Sequence, residues 1–252
     1  YTAASNPLKN LFPTWLQEGG IKTMLGRLSH EPSRLQLRAE IDKEGLNNFG
    51  RIPSWDSVRI SISPDQPQYA GRTIAEIAKE RENDPFDMAL DYIIEDRGQT
   101  RVLVESISET DVKRFVVSTD VMVGSDGNSV APEGITGQGR PHPRFYGTFA
   151  KVLGQYARDQ ALLPLQDAVY KMTGASAKAL GLKKRGLLRT GFKADITVFD
   201  PYLIKEMASY ENPHHFSTGI DTVIVNGHVT LEGGVHTGVL GGKILRRQQD
   251  FV

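Results

Sequence analysis

Apolar side chains recur every three to four positions along much of the N-terminal part of the chain, which is the spacing of one face of an amphipathic helix. Ile21, Met24, Leu25 and Leu28 form the first such face. A second face runs over Phe86, Ala89, Leu90, Ile93 and Ile94. These patterns predict helices that each bury one side.

Two of the helix starts carry capping signals. Thr73 with Glu76 has the capping-box pattern, and Asp84 precedes a proline at the first helical position. Residues 42–72 differ, because they mix Gly, Asn, Pro, Ser and charged residues. They predict a loop with one strand in the alternating stretch 57–63.

Beyond residue 100 the pattern becomes mixed. Arg101–Glu105 predicts a short strand, and 121–124 predicts another that runs into a Gly- and Pro-rich loop. Apolar spacing then predicts helices over 149–156 and Leu165–Met172.

From about Gly186 the apolar period changes to two. Ile196 and Val198 alternate with polar residues, and two further alternating runs flank Asn226-Gly227. Asn-Gly between alternating runs is a strong hairpin signal. The C-terminal part therefore predicts a small separate sheet.

Composition excludes several classes of function. Lys plus Arg and Asp plus Glu both number 30 in 252 residues, so the basic excess of a nucleic-acid-binding protein is missing. No apolar run approaches the roughly 18 residues of a membrane span. The absence of cysteine excludes disulfides and thiolate zinc sites within this chain and fits a cytoplasmic location.

Asp126 is the strongest chemical candidate. It follows the predicted strand over 121–124, between Gly124 and Gly127, and a helix follows it. In α/β barrels the catalytic residues lie at this end of the strands. The alternative is an Asx turn between two glycines, and the spacing alone does not separate the two.

His142 and Arg144 form the second candidate. Two prolines stiffen the stretch Arg140–Arg144, which would fix a guanidinium for bidentate capture of a carboxylate. The alternative is a surface loop with an exposed arginine. The six histidines include no His-x-His pair and no His-Glu-x-x-His, so spacing reveals no zinc cage.

Together, these motifs resemble the signature of the D-aminoacylases, the N-acyl-D-amino-acid deacylases of the metal-dependent amidohydrolase superfamily. The opening Tyr1-Thr2-Ala3-Ala4-Ser5 is similar to the family's segment after barrel strand seven. The motifs that carry the resemblance further along are Gly124-Ser125-Asp126-Gly127, His142-Pro143-Arg144, Tyr146-Gly147-Thr148-Phe149, Tyr156-Ala157-Arg158, Lys171-Met172-Thr173, Ala194-Asp195, Phe199-Asp200-Pro201 and Val223-Ile224-Val225-Asn226-Gly227.

The resemblance implies an α/β fold: the C-terminal part of a (β/α)8 TIM barrel plus strands of a small β-sandwich. Residues 1–185 would be the end of the barrel domain, with a mainly helical insertion at about 10–110 and strand eight at 121–124. Residues 186–252 would belong to the sandwich. The long loop 128–139 would form a lid or reshape the acyl pocket.

The resemblance also implies a mechanism. Zinc would activate a water, and Asp126 would act as general base and acid as well as being a candidate metal ligand. Arg144 would bind the α-carboxylate of a small N-acyl amino acid, with His142, Tyr1 and Ser5 as further substrate contacts. No nucleic acid or membrane partner is expected.

The chain begins at Tyr1 rather than Met, and the family's remaining metal ligands have no counterpart in it. The resemblance therefore implies a missing N-terminal half, without which the chain would be inactive. Two alternatives stay open: a cyclic-amide hydrolase of the hydantoinase or dihydroorotase kind, and a non-catalytic fragment that acts as a scaffold.

Overall fold

The computed structural model describes residues 6–47 and 49–251, which divide into two compact units. Each unit is assembled from separate stretches of chain. Unit 1 consists of the described residues up to Ile107, Asn128–Pro143 and Ser209–His214. Unit 2 consists of Ser108–Gly127, Arg144–Ala208 and the described residues from His215 onward.

Among its described residues, unit 1 combines four α-helices and several short 3-10 helices with a three-stranded sheet. Its elements are β1 (Asn6–Pro7), α1 (Gly20–Leu28), α2 (Glu31–Glu44), β2 (Val58–Ile62), α3 (Ile74–Glu80), α4 (Pro85–Glu95) and β3 (Arg101–Val104). The sheet is antiparallel, in the order β1-β3-β2. The strands predicted near residues 57–63 and 101–105 are thus confirmed as β2 and β3, and they pair with each other.

The core of unit 1 follows the predicted helix faces. α1 buries Met24 and Leu28, although Ile21 on the predicted face stays exposed. The capping box of α3 is present: the Thr73 hydroxyl accepts a hydrogen bond from the Glu76 backbone N–H, and the Glu76 carboxylate accepts one from the Thr73 N–H. At α4 the Asp84 carboxylate accepts hydrogen bonds from the backbone N–H groups of Phe86 and Asp87, without a reciprocal bond. Local capping thus fixes where these helices begin.

Unit 2 is helical at first and then forms a sheet. Its elements are α5 (Glu109–Val117), α6 (Arg144–Lys151) continued by a π-helix (Val152–Asp159), α7 (Leu165–Met172), α8 (Gly174–Leu180), β4 (Ile196–Phe199), β5 (Ile220–Val225), β6 (His228–Glu232), β7 (Val235–His236) and α9 (Arg247–Asp250). Val152, Tyr156, Ala168 and Ile204 lie in its hydrophobic cluster. No described helix has the length and apolarity needed to cross a bilayer.

The C-terminal sheet of unit 2 contains the predicted hairpin. The strand order is β4-β5-β6-β7, with antiparallel neighbours. Asn226 and Gly227 connect β5 to β6 with φ angles of 51° and 86°. Positive φ at both positions is what a type I′ turn requires, so the Asn-Gly signal is confirmed together with its conformational reason.

The strand predicted over 121–124 is not formed. Within the part of the chain that the structure describes, this segment has no strand partner. A strand needs a neighbour to satisfy its backbone groups, and a short apolar run alone does not supply one. Instead, Val123 packs against the hydrophobic cluster of unit 2, and the Val121 carbonyl accepts a hydrogen bond from the Lys171 ammonium.

Candidate active site

The irregular loop segment Gly124–Gly127 presents Asp126 to solvent. Asp126 has a φ of 47°, in the left-handed region that Asp tolerates better than most residues. The Ser125 hydroxyl accepts a hydrogen bond from the Gly127 N–H. A Cβ on Gly127 would lie 3.1 Å from the Cα of Phe145, so only glycine fits this close approach without a shift.

Arg144 reaches Asp126 from the first residue of α6. A guanidinium N–H donates to the Asp126 Oδ2 over 2.8 Å. The Arg144 side chain is only 14% exposed, whereas that of Asp126 is 79% exposed. The structure thus brings together two of the predicted site residues. The shared contact leaves the carboxylate open to a water or a ligand.

His142 lies in unit 1, where Tyr210 holds it. The Tyr210 hydroxyl and the His142 Nε2 are 2.8 Å apart, and the two rings meet edge to face at a centroid distance of 5.1 Å. The Arg59 guanidinium lies over the Tyr210 ring. Tyr210 was not predicted from the sequence, since 68 positions separate it from His142 and no spacing rule links them.

The proline-rich stretch before His142 is tied to β2. The Arg140 N–H donates to the Ser61 carbonyl over 2.7 Å, and the Ser61 hydroxyl donates to the Arg140 carbonyl over 2.9 Å. His214 adds a contact of 2.9 Å between its Nε2 and the Gly139 carbonyl oxygen. These three hydrogen-bond contacts restrain residues 139–140, next to the prolines that predicted a stiff segment.

Lys171 is a second residue that the sequence analysis missed. It lies on α7 with 6% of its surface exposed, and its ammonium donates to the backbone carbonyls of Ser118 and Val121. One signal was available: Lys171 follows Ala168 by three positions and therefore shares its buried helix face.

A group of ionisable side chains lies beside α6 in unit 2. The buried Tyr156 hydroxyl donates to the Glu109 carboxylate over 2.8 Å, and burial raises the pKa of Tyr156. Burial also raises the pKa of the Glu206 carboxyl, which Lys151 partly offsets. A Cβ on Gly147 would lie 2.5 Å from the Glu206 Cγ, so glycine makes room for this carboxyl.

Tyr1 and Ser5, the remaining predicted substrate contacts, lie outside the described residues. Within residues 6–47 and 49–251 there is no group of three His, Cys, Asp or Glu side chains that could hold a metal ion. Asp126 is therefore a single candidate oxygen ligand, and the described residues do not complete a ligand set around it.

Comparison with known proteins decides the family. The profile described as "Amidohydrolase family" matches residues 63–231. The chain belongs to the amidohydrolase family. The predicted family is thereby confirmed, and the helices and sheets of the two units are consistent with the predicted α/β class.

Individual relatives show which members of the family this chain resembles. The D-aminoacylase of Alcaligenes xylosoxydans xylosoxydans is 38% identical over 181 residues, covering 72% of this chain and 35% of that protein. A crystal structure of D-aminoacylase, said to define a novel subset of amidohydrolases, is 36% identical with a TM-score of 0.63, over 72% of this chain and 36% of that one. These amidohydrolase relatives confirm the predicted resemblance to D-aminoacylases.

A third relative carries ligands. N-acyl-D-glutamate deacylase from Bordetella bronchiseptica, solved with zinc and a phosphonate mimic of the tetrahedral intermediate, is 34% identical with a TM-score of 0.61. The match covers 71% of this chain and 35% of that one. The chain thus spans about a third of the length of the relatives it matches.

Proposed function

We propose that this chain is part of a metal-dependent enzyme that hydrolyses the amide bond of N-acyl-D-amino acids, giving a carboxylate and a free D-amino acid. The observation that carries the proposal is the contact between Asp126 and Arg144, at 2.8 Å. It joins an exposed carboxylate, suited to proton transfer, to a mostly buried guanidinium, suited to anchoring an anionic substrate.

Asp126 takes the proton from the attacking water and passes it to the departing nitrogen. Both transfers need a carboxylate that is reachable from solvent, and the side chain of Asp126 is 79% exposed. One group can serve as base and then as acid because the proton it gains in the first step is the one the amine needs in the second.

Arg144 fixes the α-carboxylate of the substrate. Its guanidinium is held at the start of α6 and offers several N–H donors in a rigid fork, which matches a carboxylate. His142, Tyr1 and Ser5 are proposed as further substrate contacts. The hydrogen bond with Tyr210 gives the His142 ring a defined orientation.

Zinc is the proposed metal, as in the zinc-bound deacylase relative. When bound, it polarises the amide carbonyl and acidifies a water. Asp126 would supply one oxygen ligand, and the other ligands would come from outside the described residues.

The proposed architecture is the end of a (β/α)8 barrel plus part of a β-sandwich. Residues 1–185 would belong to the barrel domain, with the insertion at about 10–110, and 186–252 to the sandwich. The position of Asp126 between 121–124 and α6 supports this assignment, as does the antiparallel sheet β4–β7. Strand eight would form only beside its barrel neighbours.

The test compares Asp126→Asn with the unchanged protein that contains this chain. Release of free amino acid is measured from N-acetyl-D-amino acids, their L-enantiomers and cyclic amides. Asparagine also tolerates positive φ, so the backbone of the loop around position 126 keeps its conformation while the carboxylate base is lost. We expect kcat to fall about 10²- to 10⁴-fold, the range of general acid–base catalysis.

Asp120→Asn is the matched control, because Asp120 is an exposed aspartate six positions earlier in the same unit. It should leave kcat unchanged. Faster turnover of hydantoins or dihydroorotate than of linear N-acyl-D-amino acids would favour a cyclic-amide hydrolase. Equal rates for Asp126→Asn and the unchanged protein would leave only a scaffold role.

A further inference from the structure

We propose that Lys171 is a positioning residue, whose buried ammonium holds the segment that carries Asp126. This inference rests on the proposed function of Asp126. It starts from an unusual placement: Lys171 is only 6% exposed, and lysine is almost never fully buried unless its charge is paired. Within the described residues, its hydrogen-bond partners are backbone carbonyls.

The two carbonyls mark the ends of one short connection. Ser118 is the C-terminal cap of α5, and Val121 begins the segment that leads to Asp126. One ammonium bonds to both, and the Val121 N–H donates back to the Ser118 carbonyl over 3.4 Å. Lys171 therefore clamps the point where the chain leaves α5 and turns towards the site.

Other supports for this segment are few. From 122 to 133 no backbone N–H donates to a backbone carbonyl of another described residue. Val123 packs against the hydrophobic cluster of unit 2, and Arg144 bonds to Asp126 itself. Without Lys171 the chain between α5 and Asp126 would keep the 3.4 Å hydrogen bond between Val121 and Ser118, the apolar contact of Val123 and the Arg144 contact at its far end.

Chemistry explains why a lysine serves here. An ammonium carries three donors on a flexible stem, so it can reach two carbonyls that point from different residues. Both bonds are charge-assisted, and both carbonyls would lose this strong donor if the ammonium were removed. The negative end of α5 adds to the attraction, since its last carbonyls face a positive group.

The first measurement is structural and does not depend on activity. Lys171→Met keeps the apolar stem and removes the ammonium. We expect the backbone N–H groups of Ser118 and Val121 to exchange with deuterium roughly 10- to 100-fold faster, the range for losing a hydrogen bond to a charged group. Lys178→Met, an exposed lysine on α8, is the matched control and should change nothing.

The second measurement is kinetic, in the protein that contains this chain. A displaced general base slows the chemical step more than it weakens substrate binding. We expect Lys171→Met to lower kcat about 100-fold, with KM changed by less than about threefold. If that variant does not fold, Lys171→Arg replaces it. Arginine keeps the positive charge but presents a planar guanidinium in place of the compact ammonium, so kcat should again fall by a larger factor than KM changes.

Three outcomes overturn the inference: unchanged exchange at Ser118 and Val121, faster exchange spread equally over β5 and β6, or an unchanged kcat in Lys171→Met. Asp126→Asn is assayed beside these variants. If it keeps full activity, the proposed function fails, and the exchange experiment alone decides whether Lys171 anchors the segment.

Discussion

At the scale of single residues, burial is divided unequally within the pair formed by Asp126 and Arg144. The guanidinium is 14% exposed and the carboxylate 79% exposed. An ion pair with one solvated partner contributes little to stability, because water screens the exposed charge. The pair is therefore better explained by what the guanidinium binds than by its effect on folding.

The substitution Arg144→Lys tests whether the guanidinium binds the substrate carboxylate. Lysine keeps the positive charge but offers a point donor in place of a planar fork. We expect KM for N-acetyl-D-amino acids to rise about 10- to 100-fold, as for one lost hydrogen bond to a charged group. The unfolding midpoint should change little. Steady-state kinetics and thermal unfolding of the same samples measure both, and an unchanged KM would argue against carboxylate binding by Arg144.

Asp96 is a buried carboxyl at the C-terminal cap of α4. Burial raises its pKa, although hydrogen bonds from Thr100 and from the backbone N–H groups of Gln99 and Gly98 oppose the shift. The negative end of the helix also disfavours an anion there. With its folded-state pKa above the unfolded value, this group weakens the folded state increasingly as pH rises through that range.

Asp96→Asn removes the charge and keeps the shape. We expect the free energy of unfolding of the variant, relative to the unchanged protein, to rise as pH increases from the ordinary Asp value of 3.8 through the raised pKa. Below that range the difference should be constant. Urea unfolding over a pH series measures it. A flat difference for Asp96→Asn would contradict the prediction.

Residues within one motif were predictable, and residues that support the motif from afar were not. Asp126 and Arg144 were each recognised within a short motif, in which neighbouring glycines or prolines set the backbone conformation. Lys171 and Tyr210 act on partners 50 to 68 positions away, and only folding brings them together. Periodicity describes a helix face but not the segment that packs against it.

At the scale of elements, features that depend on consecutive residues were again predictable, and features that depend on distant residues were not. The capping box of α3 and the Asn226-Gly227 turn were predicted because each depends on a few consecutive residues. The strand predicted over 121–124 is not formed among the described residues, because a strand depends on neighbours that are distant in sequence. β1 was not predicted, since two residues are too few to form a pattern.

Thr73→Ala removes the hydroxyl that caps α3. Thr73 is 3% exposed, so water cannot replace the lost hydrogen bond to the Glu76 N–H. We expect a loss of about 1 kcal/mol in stability. For a chain of this length the midpoint of thermal unfolding should fall about 2–4 °C. Thr110→Ala, at an exposed position in the first turn of α5, is the control, and equal effects would exclude a capping role.

At the scale of the whole molecule, the chain is organised as two units that each have their own hydrophobic cluster. The sequence predicted a boundary near residue 186, where the apolar period changes, whereas unit 2 continues across that position. It did not predict that unit 1 recruits Asn128–Pro143 and Ser209–His214. Short loop segments carry no periodic signal, so their membership of a unit is decided by tertiary contacts alone.

Charge balance gives a prediction for the chain as a whole. Its 30 basic and 30 acidic residues cancel, and its isoelectric point is about 7.2. Without net charge, molecules lose the mutual repulsion that keeps them apart. We expect solubility to be lowest near pH 7.2 and to rise on both sides, as measured by the polyethylene glycol concentration at half-precipitation. A monotonic trend across that pH would contradict this.

The late return of the chain to unit 1 has a consequence for its folding during synthesis on the ribosome. Ser209–His214 supplies Tyr210 to His142 and the Glu211 carbonyl to Arg140, yet it is synthesised long after Ile107. At about 5–20 residues per second, roughly 5–20 s separate the two events. Throughout that interval the nascent unit 1 is unfinished. A nascent chain that stops before Ser209 therefore contains His142 without its Tyr210 partner.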